Sequence, residues 1–124
     1  MFFRSRDPKA TLDWYRRHLG IESAEWGGFA FRWLDRDDPD ETGYTVWSAM
    51  PADTTYFAPS EESFMVNFRV ADLEGLLAAL EAEGVSVVGQ IEQHENGKFA
   101  WILDPEGRKI ELWEPVPSKD DPYL

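Results

Sequence analysis

The sequence predicts an α+β fold in which two tandem copies of one βαβββ module share a core. Residues 3–7 and 68–72 both follow the pattern Phe-Arg-X-X-Asp, and each copy precedes a helical pattern that ends at a glycine. Residues 29–35 then match residues 99–104, and residues 44–47 match residues 110–113. Matches that recur in one order at a nearly constant offset indicate an internal repeat. Such a pair of modules, related by a pseudo-twofold axis, builds a cavity between its sheets.

The length of the chain predicts one domain, because 124 residues are too few for two independent cores. We therefore treat residues 1–124 as a single domain with four parts. These are module one at about residues 1–50, a linker at about 51–63, module two at about 64–115 and a surface tail at 116–124.

Module one begins with an alternating strand at residues 2–6. Asp7 and Pro8 predict a helix start, because Asp caps free amide groups and Pro suits the first helical position. Gly20 ends this helix. Three strands are expected next, at residues 21–26, 28–34 and 43–50.

Module two repeats this plan with a strand at residues 64–70 and a helix that Asp72 caps and Gly84 ends. Asn96 and Gly97 predict a tight hairpin between its middle strands. The apolar residues expected in the shared core lie on the helix-facing sides of both modules: Phe3, Leu12, Tyr15, Val66, Phe68, Leu77, Leu80, Ile110 and Leu112.

The composition limits the partners that we expect. With 24 acidic against 12 basic residues the formal charge is −12, which would repel nucleic acid. The chain has no cysteine, so disulfides and thiolate chemistry are excluded. No apolar run reaches membrane length and no signal-peptide pattern opens the sequence, so we expect a cytoplasmic protein with no membrane partner.

A family resemblance rests on the Asp-capped first helix that ends in Leu-Gly and on the closing residues 104–114, which read Asp-Pro-Glu-Gly-Arg-Lys-Ile-Glu-Leu-Trp-Glu. The chain resembles the vicinal oxygen chelate superfamily: glyoxalase I, bleomycin resistance proteins and extradiol dioxygenases. The resemblance covers residues 1 to about 115 and implies a curved, incomplete mixed β-barrel around a central cleft. Because lyases, isomerases, dioxygenases and metal-free binding proteins share this scaffold, the resemblance implies no single activity.

The resemblance also implies where metal ligands would lie, on the first and last strand of each module. The last-strand position of module two falls on Glu111, and the repeat pairs it with Thr45, a poor ligand. The first-strand position falls on Met65, whose thioether suits hard divalent ions poorly, and its counterpart would precede Met1. We therefore expect no metal cofactor, with a zinc, nickel, iron or manganese ion bound by Glu111 as the alternative.

Neither histidine is expected to complete a metal site. His18 lies near the end of the first helix, where a cation suits the helix dipole. His94 lies beside the predicted hairpin turn with Glu92 and Glu95, and a metal site there is the less favoured interpretation.

Strand alternation predicts which residues face the cleft. The helix-facing side of each strand is apolar, so the intervening residues face the cavity, and the repeat extends this pattern to module one. The resulting candidates for ligand binding are aromatic, polar or charged: Arg4, Thr45, Trp47, Met65, Asn67, Arg69, Trp101, Glu111 and Trp113.

Each group of candidates has a structural alternative. The tryptophans suit an ordinary core or a dimer interface as well as a pocket wall. Arg4 and Arg69 are expected to pair with Glu111 or another acid and so neutralise a partly buried carboxylate.

The sequence as a whole favours a homodimeric protein that binds a small organic molecule in an aromatic cleft, without a catalytic metal. One alternative is a metal-dependent lyase or dioxygenase that uses Glu111. The other is a protein interaction module.

Overall fold

A computed structural model describes all 124 residues of the chain. Its helices are α1 (Pro8–Leu19) and α2 (Leu73–Ala82), and a short 3₁₀ helix spans Ser118–Asp120. Its strands are β1 (Phe2–Ser5), β2 (Gly28–Leu34), β3 (Thr42–Pro51), β4 (Phe64–Arg69), β5 (Val87–His94), β6 (Gly97–Leu103) and β7 (Lys109–Pro115).

All seven strands form one mixed sheet in the order β2-β3-β1-β4-β7-β6-β5. The two modules meet where β1 and β4 pair antiparallel. On either side of this junction the next strand is parallel, β3 beside β1 and β7 beside β4, and the one after is antiparallel. This symmetry confirms the repeat and the α+β class, and the sheet does not close into a barrel.

The expected strand at residues 21–26 is wrong, and module one therefore has one strand fewer than module two. In this segment the amide of Ala24 bonds the carbonyl of Gly28, and the amide of Gly27 bonds the carbonyl of Ala24. These bonds form a turn that leads directly into β2. The segment is rich in Glu, Ser and Ala, which lack the β-branched shape that suits a strand.

Both helices begin as the sequence predicts. The Asp7 carboxylate accepts a hydrogen bond from the amide of Ala10, and that of Asp72 accepts one from the amide of Gly75, each at 3.0 Å. Gly20 ends α1 with φ +67°, a left-handed conformation that glycine adopts without strain. Neither helix has the length and hydrophobicity needed to cross a bilayer.

The helices cover the face of the sheet opposite the cleft, with α1 on β1 and β3 and α2 on β6 and β7. Leu12, Leu77 and Leu112 are buried as expected. Phe68 was also expected in the core, but this prediction is wrong because its side chain is 54% exposed. It lies on β4. The other residues expected in the core are half-buried: Phe3, Tyr15, Val66, Leu80 and Ile110.

Candidate functional site

The concave face of the sheet holds a cavity of about 330 Å³. Strands from both modules frame it, with further residues from the linker and the tail. Most of its lining is aromatic or aliphatic, and Glu111 is the single charged residue in it. The lining consists of Phe2, Trp26, Ala30, Tyr44, Val46, Ser48, Met50, Tyr56, Asn67, Asn96, Phe99, Glu111, Trp113 and Tyr123.

A cation is held among aromatic rings from both modules. The guanidinium carbon of Arg69 lies 5.1 Å from the ring centre of Trp33 and 4.9 Å from that of Trp113. Trp33 belongs to β2 and Arg69 to β4, which are separated by two strands in the sheet. The sheet must curl to bring them together, so this contact joins the two modules.

Glu111 is the most distinctive group of the site, since the residue is only 1% exposed yet lines the cavity. The Tyr56 hydroxyl and the Trp101 indole nitrogen both donate hydrogen bonds to its Oε2, the latter at 3.0 Å. Both of these bonds end on Oε2, and the Asn67 side chain also lies close enough to hydrogen-bond the carboxylate.

Burial raises the pKa of the Glu111 carboxyl above its usual value, since a charge is poorly solvated there, and the donors Tyr56 and Trp101 oppose this shift. Burial also raises the pKa of the Tyr56 hydroxyl, and the neighbouring Glu111 charge adds to the effect. Tyr56 therefore serves as a hydrogen-bond donor. Glu111 is able to accept a hydrogen bond when ionised and to donate one when protonated.

The linker supplies two residues of the site that sequence reasoning missed. Tyr56 reaches Glu111, and Phe57 is fully buried against Met65 and Trp101. Lys109 helps to fix this segment, because its ammonium group donates to the carbonyl of Tyr56 at 2.8 Å. The adjacent aromatic pair at positions 56 and 57 stands out in an otherwise polar segment. This pattern could have indicated that the linker packs against the site.

Five of the nine predicted site residues come together around the cavity floor. Asn67, Glu111 and Trp113 line the cavity directly. Met65 is 1% exposed and lies beneath it with Trp101, which also borders an adjoining groove.

The predicted orientation of Thr45 and Trp47 is wrong. Trp47 packs on the helix side of the sheet, with its ring centre 5.1 Å from that of Phe3 and 4.6 Å from that of Tyr15. Thr45 is exposed, and its hydroxyl accepts a hydrogen bond from Trp33. The core alternative thus holds for Trp47, and other residues of β3 face the cavity: Tyr44, Val46, Ser48 and Met50.

The register of the strands explains this error. Asn67 pairs with Glu111 on β7, while Phe2, its equivalent in the repeat, pairs with Ser48 on β3. Ser48, and not Thr45, is therefore the counterpart of Glu111. The sequence match was displaced by three residues, and an odd displacement exchanges the two faces of a strand.

Neither Arg4 nor Arg69 forms the expected ion pair, with Glu111 or with another acid. Arg4 lies against the linker, 5.5 Å from the ring centre of Phe57, and its Nε is buried without a hydrogen-bond partner. Arg69 is occupied by the aromatic rings around it. Neither arginine lines the cavity.

The side chains around Glu111 do not suit a divalent metal ion. Ser48 donates its hydroxyl proton to the carbonyl of Gly27 at 3.1 Å, and Met65 offers only a thioether. Two donors already occupy Oε2 of Glu111. No three His, Cys, Asp or Glu side chains in the chain are grouped closely enough to hold a metal ion, including His18 and His94.

The expectation that the tail is only surface coil is also wrong. Asp121 is 6% exposed, and its carboxylate accepts a hydrogen bond from the Tyr44 hydroxyl at 2.9 Å. Tyr123 then lines the cavity. The tail contains no periodic apolar pattern from which this packing could have been predicted.

The family model of the Glyoxalase/Bleomycin resistance protein/Dioxygenase superfamily matches residues 1–112. The chain belongs to this superfamily. The match covers every strand and both helices of the curved sheet up to β7. No curated protein sequence matches the chain.

Solved structures with the same fold include methylmalonyl-CoA epimerases from two organisms. Methylmalonyl-CoA epimerase from Mycobacterium tuberculosis is 21% identical with a TM-score of 0.57, covering 94% of this chain and 85% of its own. A variant of the Streptomyces coelicolor epimerase, in complex with 2-nitronate-propionyl-CoA, is 19% identical with a TM-score of 0.61, covering 93% and 94%. At these identities the likeness shows a shared fold.

Proposed function

We propose that this protein binds a small, planar organic molecule in its aromatic cleft and does so without a catalytic metal. The observation that carries the proposal is the buried Glu111 carboxylate, which lines a mostly apolar cavity and has Oε1 free of the Tyr56 and Trp101 hydrogen bonds. A mostly apolar cavity with a few convergent polar groups is typical of ligand sites.

The walls of the cavity indicate the shape of the ligand. Trp113 and Phe99 stack with their planes 7° apart, and Tyr44 meets Trp113 edge to face. Flat rings suit a flat ligand, which buries apolar area and gains aromatic contacts. A ligand with one amine, amide or hydroxyl group would pair with Oε1 of Glu111, and Asn67 beside it offers a second polar contact.

The absence of a metal role is part of the proposal and follows from the donor set. Ser48 stands at the module-one position equivalent to Glu111. Met65 stands where the resemblance implies a metal ligand on the first strand of module two. The superfamily's metal-dependent lyases and dioxygenases are the alternative, and they would need ligands that this cleft does not bring together.

A thermal-shift screen tests the proposal. The purified protein would be screened against aromatic metabolites, antibiotics and divalent metal ions, and true ligands raise the melting temperature by mass action. We expect hits among planar organic compounds and none among the metals. A library in which nothing shifts the melting temperature would favour the interaction-module alternative.

Two neighbouring residues on β3 offer a matched pair of control variants. Val46 lines the cavity, whereas Thr45 lies on the opposite side of the strand. Val46→Phe fills the cavity and should abolish binding of every hit, while Thr45→Phe should leave binding unchanged. Hits that bind equally well to both variants would place the ligand outside the cleft.

The homodimer expected from the sequence stays a prediction, and the free edge of β2 is the surface that suits it best. Phe31 is 41% exposed and Leu34 is 70% exposed on this edge strand. Sedimentation velocity should show a dimer that Phe31→Glu with Leu34→Glu dissociates. Ile91→Glu on β5 at the opposite edge is the control and should remain dimeric.

A further inference from the structure

The tail crosses the mouth of the cleft and is anchored at several points. The amide of Ser118 donates to the Glu41 carboxylate at 3.0 Å, and the Tyr44 hydroxyl donates to the buried Asp121. Beyond Asp121 the chain turns back, because its carboxylate also accepts a hydrogen bond from the amide of Tyr123 at 2.9 Å. These contacts hold the Tyr123 ring over the cavity.

Tyr123 also stands between two cavities. The inner cleft of about 330 Å³ adjoins an open groove of about 520 Å³ along the β5–β6 hairpin. Both are bordered by the same four residues: Tyr56, Asn96, Phe99 and Tyr123. Of these, Tyr56 and Phe99 lie within the fold, whereas Tyr123 is 44% exposed and belongs to the tail.

We propose that Tyr123 determines the length of ligand that the cleft accepts. This inference rests on the binding function proposed above and adds a specificity residue to it. With the ring in place, the cleft confines a ligand of one flat ring system beside Glu111. With the ring withdrawn, cleft and groove become one channel that admits a ligand longer by a further ring.

The backbone of the tail is held firmly at Asp121, whereas the Tyr123 side chain is held by one weak hydrogen bond, the latch to Glu95. Asp121 is 6% exposed and holds the backbone of the tail. The Tyr123 hydroxyl donates to Glu95 at 2.7 Å, but this bond lies at the exposed surface, where water competes for both groups. The ring is therefore able to move while the tail stays attached.

Two probes of matched chemistry test this role, phenol and 4-phenylphenol, which share one hydroxyl group and differ by one ring. Their dissociation constants would be measured by calorimetry for the wild type, Tyr123→Ala and Tyr123→Phe. We expect Tyr123→Ala to strengthen 4-phenylphenol binding relative to phenol at least tenfold, because the longer probe reaches the groove. Tyr123→Phe keeps the ring but loses the hydrogen bond to Glu95. Its ratio of 4-phenylphenol affinity to phenol affinity should therefore lie between that of the wild type and that of Tyr123→Ala.

Lys119→Ala is the control, since Lys119 lies in the same tail, is exposed and does not border either cavity. A tenfold gain for 4-phenylphenol in this variant too would assign the effect to a loosened tail and overturn the role of Tyr123. An unchanged ratio in Tyr123→Ala, with both probes bound, would overturn that role while leaving the binding function intact. If neither probe binds any variant at millimolar concentration, both proposals fail.

Discussion

Trp101 and Glu111 are directly opposed cross-strand neighbours on β6 and β7, and the indole nitrogen of the first donates to Oε2 of the second at 3.0 Å. The Tyr56 hydroxyl donates to the same oxygen from the linker. A buried carboxylate is costly unless it is paired, and here two neutral donors bind one oxygen while the amino-terminal ammonium group of Met1 adds a favourable charge nearby. The charge of Glu111 is therefore only partly compensated.

This arrangement predicts a pH-dependent difference between the wild type and Glu111→Gln. Burial raises the pKa of folded Glu111 above the usual 4.5, so the folded state favours the protonated form. Its contribution to stability is fully present below the unfolded pKa and is lost as the pH rises through the folded pKa, by about 1.4 kcal/mol per unit of pKa difference. Glutamine does not ionise. Above pH 4.5 the Glu111→Gln variant should therefore become more stable relative to the wild type as the pH rises.

Urea unfolding of both proteins between about pH 4 and pH 8 measures this difference in free energy of unfolding. Glu61→Gln, at an exposed acid, controls for the loss of one surface charge. A difference for Glu111→Gln that is flat or that shrinks with rising pH would show that the folded protein does not favour the protonated carboxyl.

A second prediction contrasts two apolar residues that the sequence placed in the core. Leu77 is 7% exposed on the side of α2 that packs on the sheet, whereas Phe68 is 54% exposed. Leu77→Ala should lower the free energy of unfolding by about 2–5 kcal/mol, because it leaves a cavity. Phe68→Ala should cost no more than about 1 kcal/mol, a value near those of other surface changes. Equal losses in denaturant unfolding would mean that Phe68 packs in the core after all.

The helix starts and the first strands were predictable because their signals are local. Asp7 and Asp72 cap the helices that follow them through bonds to amides three residues ahead. Gly20 ends α1 by a backbone conformation that it adopts on its own. These contacts span only a few residues, so a short motif is enough to specify them.

The missed parts of the site depend on contacts between distant residues. Tyr56 reaches Glu111 across 55 positions, and Tyr44 reaches Asp121 across 77. Which side chains of β3 face the cavity depends on its pairing with β1, where Phe2 lies beside Ser48. An apolar strand such as β3 has no clear alternation of its own, so the register sets its faces and the sequence match was misleading.

A third prediction concerns metal content. The purified protein, from cells grown with added zinc, nickel, iron and manganese, should contain far less than one equivalent of any of them, because Glu111 lacks the partner ligands that such an ion needs. Elemental analysis measures this directly, and Glu111→Ala is the control for ions bound elsewhere. One equivalent of a single metal in the wild type, lost in Glu111→Ala, would contradict the metal-free proposal and restore the enzyme alternative.

The last prediction concerns the clamp that joins the modules, in which Arg69 lies 5.1 Å from Trp33 and 4.9 Å from Trp113. A double-mutant cycle with Arg69→Met and Trp33→Leu isolates one of these contacts, since both changes retain apolar bulk. We expect a coupling energy of about 0.5–1 kcal/mol, typical of a partly exposed cation beside an aromatic ring. The same cycle with Phe31→Leu, on the same strand but without a contact to Arg69, should give a coupling near zero. Equal coupling at both positions would show that Arg69 affects β2 as a whole, and that the stacked guanidinium has no specific contact with Trp33.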